Sequence, residues 1–157
     1  MNRRRLLRVT AAAGAWLLLT AHSPYRQWEA HRKMRLVVLV SAAEQPSVAL
    51  GSALASIYAK QLPESRAMMA RARDTNDVVR LMASKQLDVA LLRTADAYAA
   101  AAGEAPYADS GAPRLRALAV LGDYVFVCRD DLPVAAAYML TEALAERWRD
   151  VDRKSVV

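Results

Sequence analysis

An α/β fold, a small three-layer domain built on a mostly parallel sheet, is what this sequence predicts, and three observations predict it. From Leu36 onward, short apolar runs alternate with helical patterns, which is how a βαβ sheet reads. The length of 157 residues suffices for one domain and leaves little room for two. An apolar fraction of 55% with only 6% aromatics fits an alanine-rich globular core rather than a disordered chain.

The organisation divides into residues 1–22 as a signal sequence or membrane anchor, 23–35 as a linker, 36–150 as the single α/β domain and 151–157 as a polar tail. Residues 2–8 are a charged stretch, and Val9 to Ala21 follow as an uncharged, mostly apolar run. Spanning hydrocarbon takes roughly 20 apolar residues, so the run is short for an anchor unless Leu6 and Leu7 join it. The pattern resembles a twin-arginine export signal, with Arg3, Arg4 and Arg5 followed by the Leu6-Leu7 pair and Arg8, and with Asn2 where Ser or Thr is usual. The best small-residue cleavage site ends at Ala21, but Leu19 is bulky for its place, so removal as a signal and retention as a hydrophobic anchor helix both stay open. An ordinary basic amphipathic helix is a third reading, weakened by the lack of helically spaced polar residues in the run. Tyr25 and Trp28 in the linker are residue types that settle at membrane interfaces. The expected location is the periplasm, free or anchored to the inner membrane.

Net charge is +6, yet eight of the 22 Lys and Arg lie in the first 35 residues beside one acid, Glu29. The remaining 14 bases face 15 acids, so the basic excess belongs to the targeting segment and not to a nucleic-acid face. The lone Cys128 excludes an internal disulfide and a thiolate zinc site. Its place beside Phe126 and Val127 marks a buried, inert thiol. His22 and His31 have no partner at ligand spacing, so no metal or cofactor is expected.

Within the domain, Leu36 to Val40 reads as a buried parallel strand. Pro46 and Ser47 open a helix whose Leu50, Leu54, Ile57 and Tyr58 share a face, and Leu62-Pro63 stops it. Ala67 to Ala72 is a weaker strand near an edge, wetted by Arg66 and Arg71, with Met68, Met69 and Tyr58 counted as core. Asp74, Thr75 and Asn76 are candidate caps of a helix carrying Val78, Leu81 and Met82 and ending near Ser84 to Gln86. Val89 to Leu92 is a third strand, and a helix opens at Thr94 with Asp96 where a carboxylate meets the positive end of the helix dipole. Gly103 to Pro113 is a loop. Leu115 to Leu121 and Tyr124 to Cys128 form a hairpin across Gly122-Asp123. Asp130, Asp131 and Pro133 start a last helix, with Ala137, Leu140, Leu144 and Trp148 on one face.

The order of residues 36–149 resembles the TAXI family of TRAP-transporter solute receptors, a class of periplasmic binding proteins. The best stretch runs from Asp74 to Leu92, through an acidic helix start, Leu81, the polar turn Ser84-Lys85-Gln86 and the Asp88-led strand. Thr94 to Tyr98, Arg116 to Ala119 and Ala137 to Leu144 resemble the segments that follow. The resemblance implies one lobe of a periplasmic binding protein, with TRAP-type membrane subunits as partners and an organic acid or amino acid as solute for uptake or sensing. Two departures stand out. Ser41 to Pro46 replaces a Gly-rich, aromatic ligand turn, and only a few residues separate Arg129 from the last helix, where the family would insert its second lobe. A non-binding, membrane-associated structural or interaction domain is the competing class.

Ligands of open α/β sheets meet the carboxyl ends of the strands. Here that means the segments Ser41 to Gln45, Arg73 to Asn76 and Arg93 to Asp96, with Ser41, Gln45, Arg73, Thr75, Asn76, Arg93, Thr94 and Asp96 as the candidate ligand-binding residues. Arg73 and Arg93 can clamp a carboxylate, with the amides opening the helices at Thr75 and Thr94 as further donors. Alternatively they pair with Asp74, Asp96 or nearby acids while the threonines cap helices. No nucleophile with a base, metal cluster or Gly-rich phosphate loop points to an enzyme. Asp130-Asp131 reads as a helix cap rather than a catalytic pair.

Overall fold

The computed structural model describes residues 35–147. The signal or anchor at 1–22, the linker up to 34 with Tyr25, Trp28 and His31, Trp148 and the tail lie outside the described residues.

Among the described residues eleven segments follow in order: β1 (Val37–Ser41), α1 (Gln45–Gln61), a 3-10 turn (Pro63–Ser65), β2 (Met68–Ala72), α2 (Thr75–Ala83), β3 (Val89–Arg93), α3 (Thr94–Ala102), a second 3-10 turn (Ala108–Ser110), β4 (Leu115–Leu121), β5 (Tyr124–Arg129) and α4 (Val134–Ala145). The five strands form one sheet in the order β2-β1-β3-β5-β4. β1 pairs in parallel with β2 and β3, whereas β5 runs antiparallel to both β3 and β4. The sheet is therefore mixed, although four of its five strands point the same way. The reversal follows from chain length. A two-residue turn at Gly122-Asp123 can join only antiparallel neighbours, while each parallel step is bridged by a helix.

Side-chain alternation along the strands sorts the core into two layers. Val38, Val40, Val89, Leu91, Phe126 and Cys128 face α1 and α4. Leu39, Ala90, Leu92, Val125 and Val127 face α2 and α3. Gly51 lets α1 lie against β1, since a Cβ there would sit 2.3 Å from Val40 Cγ1. Tyr58, wholly buried, donates its hydroxyl to the Leu140 carbonyl at 3.2 Å and so ties α1 to α4.

β2 is an edge strand, as its arginines predict, and Arg71 is exposed. Met68 departs from expectation. It is 43% exposed and Met69 half-buried, because the outer strand has a partner on one side only. The last helix is not capped by Asp130 or Asp131. Pro133 holds the N-cap position without a side-chain bond, and the two acids turn to Arg114, Arg129 and Lys85 instead. Among the described residues, no helix is long and apolar enough to cross a membrane.

Candidate functional site

The carboxyl ends of β1, β2 and β3 open into the first turns of α1, α2 and α3, so the polar residues of all three loops gather at one end of the sheet. β5 enters from the same end, because Tyr124 stands opposite Arg93 in the antiparallel ladder. Four elements thus deliver side chains to one place.

They meet on Glu44. It holds the N-cap position of α1 in an extended conformation but makes no capping bond with its side chain. Its carboxylate instead accepts from Tyr124 Oη at 2.8 Å and Arg93 Nε at 3.0 Å on Oε2, and from Thr75 Oγ1 at 3.3 Å on Oε1. The Arg93 guanidinium also lies over the Tyr124 ring, 5.4 Å from its centroid, within cation–π range. Burial, reinforced by the bond to Glu44, pushes the Tyr124 phenol up to about 12. Arg93 is driven further toward its charged form, chiefly by the Glu44 charge.

The other site residues divide around this group. Thr94 donates both its backbone N–H, at 2.9 Å, and its hydroxyl, at 3.2 Å, to the Asp123 carbonyl, docking the hairpin turn on the start of α3. Asp96 accepts from Tyr107 Oη at 2.7 Å, and burial first, then this bond, raises the Tyr107 phenol. Arg73 stays with its neighbours, its Nε 3.1 Å from Asp74 and 3.4 Å from Asp77, at the solvent surface. Asp74 caps α2 by accepting the Asp77 N–H at 2.9 Å, which is the main reason its carboxyl is held below the ordinary range. Gln45 and Asn76 are exposed in the first turns of α1 and α2. Ser41 is buried, and its hydroxyl lacks a hydrogen-bond partner, as does that of buried Ser47.

Of the two arginines read as a clamp, only Arg93 reaches the convergence point, and its partner is Glu44 rather than Asp96. The structure thus matches the ion-pair alternative for both arginines. Glu44 lay within the Ser41 to Gln45 segment without being singled out, and Tyr124 and Tyr107 were not placed at the site. Glu44 lies between Ser41 and Gln45 at a strand end, and an acid in the same row as two arginines was the available signal.

The connection from Arg129 to α4 lies at the opposite end of the sheet, where Val89 stands against Cys128 and Leu115 against Arg129. The Gly122-Asp123 turn, in contrast, lies at the Glu44 end of the sheet. Among the described residues, no group of three or more His, Cys, Asp or Glu side chains is placed to hold a metal ion. Compared with known proteins, the chain matches no family model, no curated protein and no solved structure.

Proposed function

We propose that this chain is a single solute-receptor-like α/β lobe of the TAXI kind, one lobe of a periplasmic binding protein by descent, that serves as a membrane-associated interaction domain on the periplasmic side of the inner membrane. One observation carries the reading: the donors at the carboxyl ends of the strands converge on the chain's own Glu44 carboxylate, the group an acidic solute would bring. A small-molecule site must also bury most of its ligand, and among the described residues no second lobe covers the strand ends. A TRAP-type membrane subunit is the partner the resemblance implies.

The second reading is binding of an organic acid or amino acid for uptake or sensing, favoured by the half-exposed Arg93 guanidinium. Thermal unfolding of the full chain with a panel of dicarboxylates and amino acids separates the two. The interaction domain gives no shift and a protein partner on crosslinking in membranes. A rise in Tm that vanishes in Arg93→Ala overturns it in favour of the solute receptor.

A further inference from the structure

We infer that Arg93, Tyr124 and Thr75 form a carboxylate-binding site that Glu44 fills as an exchangeable internal ligand, and that a carboxylate presented by another molecule can take its place. Both oxygens of Glu44 are engaged, by donors from three elements, which is how a site recognises the carboxylate group rather than a lone charge. The Arg93 guanidinium also lies over the Tyr124 ring, a contact between two of the donors that does not involve the acid itself.

The Glu44 side chain, held by these three donors, has no bond to its own helix. Its carboxylate caps nothing, so its departure breaks no bond of α1. An incoming acid also has an approach, since the Arg93 side chain is 49% exposed while that of Glu44 is 19% exposed. What keeps a dilute solute out is tethering: an attached ligand acts at an effective concentration on the order of millimolar, which a free acid must exceed. A carboxylate on a surface already docked beside the strand ends escapes that limit. The interaction-domain reading supplies this source; the site itself does not depend on it.

The test uses the full chain carrying Glu44→Ala, titrated with acetate, succinate and the amide of N-acetylglutamic acid while Tm is followed. Each should raise Tm, by about 5 °C at roughly ten times its Kd. The rise should be absent in Glu44→Ala with Arg93→Ala, and absent in the unaltered chain at the same concentrations. Greater potency of succinate than of the glutamyl amide identifies a free organic acid as the natural source, and the reverse order identifies a protein side chain. Glu44→Gln, which keeps the volume and hence the fold, should respond at higher concentrations if the alanine variant does not fold. No rise in either variant, or a rise that survives removal of Arg93, overturns the inference. A rise without any crosslinked partner in membranes would sink the interaction-domain reading and leave the site standing.

Discussion

At the carboxyl ends of the parallel strands the acid is the covered partner and the arginine the exposed one; at the opposite end of the sheet the roles are exchanged. There the Arg129 side chain is 14% exposed and is bracketed by Asp88 at 3.2 Å and Asp131 at 2.8 Å, both much more open to water. Lys85 backs Asp131 at 3.2 Å. The difference teaches which group each end has to satisfy. A covered charge that loses its partner keeps the full cost of having left water, whereas an exposed one is rehydrated. The Arg129 end therefore depends on its acids and the Glu44 end on its donors.

The largest effect should come from the contact that seats α1. Gly51→Ala forces a Cβ into Val40 and should cost about 1–3 kcal/mol in urea unfolding. Hydrogen exchange should accelerate at the first turn of α1 and spare the Arg129 end of β5. Equal acceleration at both would show that the two ends are not separate. Next, Asp88→Asn with Asp131→Asn leaves Arg129 between neutral amides, for an expected loss of about 1–2 kcal/mol. Arg93→Ala leaves Glu44 two neutral donors and should cost less than the paired replacement around Arg129. If Arg93→Ala proved the more damaging, the comparison would be reversed.

Smaller still is Tyr124→Phe, at about 0.5–1.5 kcal/mol near neutral pH. Its signature is alkaline. The phenol's pKa in the fold, up to about 12, exceeds the ordinary value of about 10, so the neutral form favours folding. That contribution is whole below pH ~10 and is lost as pH rises through the folded value. The variant should lose stability less steeply in this window. Tyr58 and Tyr107, also raised by burial, keep part of the slope. Identical alkaline slopes would contradict the role given to Tyr124.

What the sequence made legible was what neighbouring residues decide. The strand from Val89, the helix from Thr94, the Gly122-Asp123 hairpin and the edge position of Met68 to Ala72 follow from periodicity and turn chemistry over a few residues. The antiparallel placement of β5 between β3 and β4 does not, because it depends on pairing across the sheet. The site failed for the same reason. Ser41, Gln45 and Arg93 were placed at the strand ends by their loops, but the partners of Glu44 are 31, 49 and 80 residues away. Asp131 serves its near neighbour Arg129 and, across the fold, Lys85, rather than the helix that follows it.

Whether Glu44 and Arg93 belong to one site is measured most directly by a double-mutant cycle of Glu44→Gln and Arg93→Gln, followed by urea unfolding of the full chain. A coupling outside the error of the cycle, diminished by salt, is the expected result. Strictly additive losses would mean that the carboxylate and the guanidinium act independently, and the internally filled site would have to be abandoned.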